Sequence, residues 1–181
     1  MSSWERSVLA LLDDLEQQAE GLHLVERDLE VADRVETEYA GVTLAGRWHA
    51  SVGHEVRLRL VGGLQVRGVL ARAGRDWLLV ADGPAEWVVP VGAVFSAAGL
   101  SPRAEAEETW SVLDRLGMRS VLRGLSRSGV ECVAHAPDGH QVTGRVGRVG
   151  SDFVELRVGE GAVHVVPTAG LCAVQSRGGG S

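Results

Sequence analysis

Apolar and polar residues alternate one for one along "EVRLRLV" at 55–61, where Val56, Leu58 and Leu60 share one face and Arg57 and Arg59 the other. That is the two-residue period of a half-buried strand. Short runs of the same kind follow in "WLLVAD", "EWVVPV" and "AVFSA", and again further on in "FVELRV", "VHVVPT" and "LCAVQ". Turn residues separate them. "GG" at 62–63 and "PDG" at 137–139 supply the positive-φ positions that tight hairpins require. Elsewhere the period lengthens to that of a helix. Trp4, Val8, Leu11, Leu12 and Leu15 form one stripe over residues 4–20, and a second helical region is predicted from Val25 to Ser51, broken near Gly41. Pro102 is expected to start a further helix carrying Trp110, Leu113 and Leu116, which resumes after Gly117 through Val121, Leu122 and Leu125.

One phrase occurs twice: "GLQVRG" at 63–68 returns as "GHQVTG" at 139–144. A constant offset of 76 places Gly63 on Gly139, Gly68 on Gly144 and Asp76 on Asp152, with Trp77 meeting Phe153. One inserted residue later, "VVP" at 88–90 lies on "VVP" at 165–167. The expected architecture is therefore an internal duplication in an α+β, mainly β chain: two tandem five-stranded barrels, SH3-like in size, each preceded by helices. The boundaries that follow are a helical segment at 1–52, a first barrel at 53–100, a helical lead at 101–128, a second barrel at 129–176 and a flexible tail at 177–181.

The phrases "GGLQVRGVL" and "DGHQVTGRV", with the later aspartate and the "VVP" strand, resemble the Sm-like (LSm/Hfq) fold over about residues 45–100 and 120–176. The chain is also similar to a group of actinobacterial proteins that duplicate a helix-plus-barrel unit, some of them labelled transcriptional regulators. The resemblance implies a barrel that assembles into rings and binds single-stranded RNA at its strand-connecting loops. The asparagine that holds a base in Sm proteins has no counterpart, because the chain contains no Asn. The family's C-terminal Arg-Gly element is likewise missing from "EWVVPV" and "VHVVPT".

Charge points away from nonspecific nucleic-acid binding. The formal net charge is −6, and residues 1–38 hold 11 acids against 3 arginines. All 18 basic residues are Arg, so any anionic partner meets planar guanidinium groups. Arg115, Arg119, Arg123 and Arg127 recur every four residues and would form one basic stripe on a continuous helix. That stripe is a candidate contact for a partner or for nucleic acid. The acidic stretch at 26–38 is a candidate counterpart within the chain. Trp87 is a candidate surface anchor for a protein partner. Asp76 and Asp152 are expected to fix the preceding turns, and Trp77 and Phe153 to be core.

No Walker A, GxSxG or HExxH sequence is present. His135, Asp138 and His140 cluster at a turn, a poor arrangement for a metal. Cys132 and Cys172 each sit in strand-like apolar sequence and are expected as buried small residues. No cofactor, metal or small-molecule substrate is expected, and no membrane span. The expected protein is cytoplasmic and noncatalytic: an interaction or scaffold module that binds protein partners or itself. The alternative is an RNA- or DNA-binding regulator of Sm-like type.

Overall fold

The computed structural model describes residues 39–177. The chain divides into two units, Met1–Val42 and Thr43–Ser181, and the sheet belongs to the second. The helices expected over 4–20 and in the first part of 25–51 lie outside the described residues.

Short helix α1 (Leu44–His49) opens the unit, and Thr43 caps it by accepting the Gly46 N–H at 3.0 Å. Strands β1 (Glu55–Leu60), β2 (Gln65–Ala73), β3 (Trp77–Asp82), β4 (Ala85–Pro90) and β5 (Val94–Ala98) follow. Helix α2 (Met118–Ser128) leads into β6 (Glu131–His135), β7 (Gln141–Val149), β8 (Phe153–Val158), β9 (Ala162–Pro167) and β10 (Ala173–Arg177). The alternation read in "EVRLRL" is realised: Val56, Leu58 and Leu60 are buried and Glu55, Arg57 and Arg59 exposed.

The strands do not close into two barrels. They form one ten-stranded antiparallel sheet in the order β5-β1-β2-β3-β4-β10-β6-β7-β8-β9. This corrects the expected pair of tandem Sm-like or SH3-like barrels, and with it the duplication into two self-contained units. The physical reason lies in β10. Its Val174 pairs with Val88 of β4 on one side and with Ala134 of β6 on the other, so the last strand joins the two stretches. Hairpin turns are local and can be read from Gly and Pro; a pairing between strands some 85 residues apart has no local signal.

The central strands bury both faces. On β4, Val88 enters one core and Val89 the other; on β10, Ala173 and Val174 divide in the same way. The first core gathers Trp48, Val56, Leu58, Leu60, Leu70 and Leu78. The second gathers Trp77, Met118, Leu122, Val146, Val154 and Leu156. Each fully buried Leu or Val contributes roughly 1.5–3 kcal/mol of transfer free energy. Removing β10 would expose parts of both clusters.

Two glycine positions in the repeated phrases have steric causes. At Gly68 a Cβ would lie 2.1 Å from the Ala81 carbonyl oxygen, and at Gly144 it would lie 2.4 Å from that of Arg157. At the β1–β2 turn, Gly62 has φ +84° and its backbone approaches Pro137 of the β6–β7 turn so closely that a Cβ would overlap the Pro137 oxygen.

The helix expected from Pro102 to Leu116 does not form. Only a single 3₁₀ turn (Glu107–Thr109) lies there, and α2 begins at Met118. Tertiary hydrogen bonds take the place of helical ones. Ser101 O accepts from Arg47 Nε at 2.8 Å, the Glu105 N–H donates to Gly46 O at 3.0 Å, and Leu116 O accepts from Trp77 Nε1 at 2.8 Å. Helix α2 ends as its sequence indicates, with Gly129 in the left-handed conformation at φ +64°.

Candidate functional site

A ten-stranded open sheet has two edges, and in this unit they are β5 and β9. Among the described residues β5 bonds only β1, and β9 bonds only β8. Their free backbone groups are a template for another strand. Proteins usually blunt such edges with charge. Neither "VFSAA" nor "AVHVVP" contains an Asp, Glu, Lys or Arg. Phe95 on β5 is 74% exposed, and Val163 and Val165 on β9 are 52% and 62% exposed. Pro167, the last residue of β9, gives that edge some protection.

The joint at the centre of the sheet shows what such an edge accepts. Strand β9 runs into the 3₁₀ turn Thr168–Gly170 and β10 leaves it; β4 runs into the turn Val91–Ala93 and β5 leaves it. Inside the chain, a strand leaving one of these turns (β10) is bonded to a strand entering the other (β4) over Val174–Val88, Gln175–Trp87, Ser176–Glu86 and Arg177–Ala85. The complementary pair, β5 and β9, stands at the two ends of the sheet, unpaired on its outer side among the described residues.

Trp87 lies at this joint. It is half-buried, packs against the first core, and holds its ring 5.2 Å from that of His135. Its indole nitrogen is buried without a protein partner. Burial pushes the His135 imidazole below its ordinary pKa, opposed by a hydrogen bond with Gln175.

The basic stripe is only partly helical. Arg119, Arg123 and Arg127 lie on α2, while Arg115 precedes it and donates to Glu107 O at 3.4 Å. Ser126 Oγ donates to Gly147 O at 2.6 Å and fixes the helix against β7. This seats Arg123 and Arg127 across a cleft of about 770 Å³ from Arg148 of β7 and Arg157 of β8. Sequence reading missed the last two, because their neighbours across the cleft are set by how α2 docks. The acidic stretch at 26–38 lies outside the described residues.

The repeat residues occupy structural positions. Gly63 and Gly139 take φ +92° and +87° in hairpin turns. Asp76 lies in the β2–β3 turn, and its Oδ1 accepts the Met118 N–H at 2.7 Å, so it caps α2 from that distant turn. Asp152 Oδ1 accepts from Ser151 Oγ at 3.1 Å, and its backbone oxygen accepts from the Thr168 hydroxyl at 2.9 Å. Trp77 is buried in the second core and Phe153 half-buried.

His140 Nδ1 and Asp138 Oδ2 are 2.9 Å apart at an exposed turn, whereas His135 is buried. Among the described residues no three His, Cys, Asp or Glu side chains gather as a metal site. Cys132 and Cys172 are both buried and free, and burial pushes the Cys132 thiol up to about 11. Among the described residues no helix is long and apolar enough to cross a membrane.

No family model matches the chain, and no curated protein matches it.

Proposed function

We propose that this chain is a noncatalytic interaction module that assembles with further copies of itself through its sheet edges, β5 of one copy pairing antiparallel with β9 of the next. The observation that supports this reading most directly is the β4–β10 joint. It is the same kind of pairing already made within one chain, between a strand entering a 3₁₀ turn and a strand leaving one. Two charge-free edges with Phe95, Val163 and Val165 exposed add apolar area to the backbone hydrogen bonds that edge pairing would form. Because the two free edges differ, such an interface is heterologous: it continues copy after copy and ends either in a ring or in a filament.

The test is the mass of the full chain in solution by sedimentation. Multimers are expected, and Val163→Lys/Val165→Lys or Phe95→Lys should return the protein to a monomer. Since these side chains are exposed, the melting temperature should change little. A wild-type chain that sediments as a monomer at its highest soluble concentration would remove the reading.

A further inference from the structure

The cleft between α2 and strands β7 and β8 serves neither edge, and its chemistry is distinct. The geometry points to a binding site for a small anion made of linked phosphates, held by the guanidinium groups of Arg123, Arg127, Arg148 and Arg157. These four come from three elements and line one cavity of about 770 Å³. Among the described residues, the one carboxylate that approaches any of them within ion-pair distance is Glu155, with Oε2 4.0 Å from Arg148 Nε. The cleft is therefore strongly cationic within a chain whose net charge is −6. All four are exposed and screened by solvent, and Arg127 Nε also donates to Arg123 O at 3.3 Å along the helix, so the cleft gathers cationic groups with little acidic neutralisation.

The ligand class follows from size, charge and the residue type. Arginine presents planar donor forks suited to phosphate oxygens. Arg123 and Arg127 stand one helical turn apart, a rise of about 6 Å, and Arg148 and Arg157 face them from the sheet. A single phosphate fills a small part of a cavity of about 770 Å³, which has room for a chain of linked phosphates. Hydroxyl groups are also present. Ser120 lines the cleft, while Ser126 is already committed to Gly147 O. Leu116 and Val149 are the apolar side chains in its lining, beside the aliphatic stems of the arginines. The cleft is pre-formed: the Ser126–Gly147 hydrogen bond and the burial of Met118 and Leu122 fix α2 on the sheet before any ligand arrives.

Calorimetric titration of the full chain with inorganic tripolyphosphate tests this. Binding is expected, weakening as salt is raised, with orthophosphate at least about tenfold weaker because it engages fewer charged donors. Arg123→Gln/Arg157→Gln should weaken tripolyphosphate by about tenfold or more, and Arg127→Gln/Arg148→Gln, a second pair from opposite walls, should do the same. Arg57→Gln/Arg59→Gln, on the exposed face of β1, should leave the affinity unchanged. Absence of binding to tripolyphosphate, or an equal loss in the β1 control, would overturn the assignment. A single-stranded oligonucleotide that binds more tightly than tripolyphosphate, with the same loss in both cleft variants, would overturn the small-ligand class in favour of a nucleic-acid backbone.

Discussion

Asp76 Oδ1 accepts the backbone N–H of Met118 at 2.7 Å across 42 residues of chain. The residue at the N-cap of α2 is Gly117, which has no side chain to do this. The neighbouring Trp77 donates its indole N–H to Leu116 O at 2.8 Å, so the start of β3 holds both sides of the helix entry. Replacing Asp76 with Ala should destabilise the fold by about 1–2 kcal/mol, the range of lost N-caps. Asp76→Asn keeps an oxygen acceptor and should cost less. Chemical denaturation of the three proteins measures the difference; equal stability of wild type and Asp76→Ala would show that the contact does not anchor the helix.

Gly68 and Gly63 belong to the same phrase but should respond very differently to alanine. At Gly68 the new methyl would meet the Ala81 backbone at 2.1 Å, which cannot yield without breaking the β2–β3 ladder. At Gly63 nothing lies within 4 Å, and only the positive φ of +92° opposes the side chain. Gly68→Ala should cost about 3 kcal/mol or more, and Gly63→Ala about 1–2 kcal/mol. Thermal melts of the two variants give the ranking, and a reversed order would contradict the steric account.

These two glycines also show where sequence reading succeeds. The hairpins at 60–65 and 135–141, the strand alternation of β1 and the end of α2 at Gly129 are local, and each has a residue whose backbone chemistry announces it. What Asp76 bonds to, how β10 lies between β4 and β6, and which arginines face Arg123 depend on tertiary docking. The strip from Pro102 to Leu116 carried a helical spacing of Trp110, Leu113 and Leu116, but its backbone groups found partners on α1 and Trp77 instead. A closed barrel and an open sheet share the same hairpins; here β10, bonded to both β4 and β6, joins the two stretches into one sheet.

His49 stacks on Trp110 with ring centroids 3.9 Å apart and planes 20° from parallel. Its Nε2 is buried without a protein partner. Burial lowers its pKa below 6.5, against the opposing pull of Asp114 and Glu105. His135 is shifted in the same direction, also by burial. The folded state thus binds these protons less readily than the unfolded chain does. Their contribution to stability is whole above pH 6.5 and declines as pH falls from there toward the depressed folded values. The melting temperature should fall on acidification through this window. His49→Phe keeps a ring against Trp110 and removes one titrating group, so its pH profile should be flatter. An unchanged slope in that variant would show that His49 does not titrate with folding.

Cys132 on β6 and Cys172 just before β10 flank the strand that unites the sheet. Cys132 is 1% exposed and its thiol is pushed up to about 11, first by burial and then by Glu131. Cys172 is fully buried, its pKa is also raised by burial, and its Sγ lies 3.1 Å from Val61 O. A thiolate is the reactive form, so neither cysteine should react with a thiol reagent at neutral pH while the strands stay paired. Modification must then await opening. The two thiols belong to different cores, Cys172 to the first and Cys132 to the second, yet β10 and β4 contribute to both. If the ten strands unfold as one cooperative unit, both cysteines should be labelled at a single rate that rises with denaturant as global unfolding does. Mass spectrometry of a labelling time course resolves them. Cys132 reacting well ahead of Cys172, with a weaker denaturant dependence, would mean that the β6–β9 side opens independently and that the β4–β10 joint does not couple the two cores.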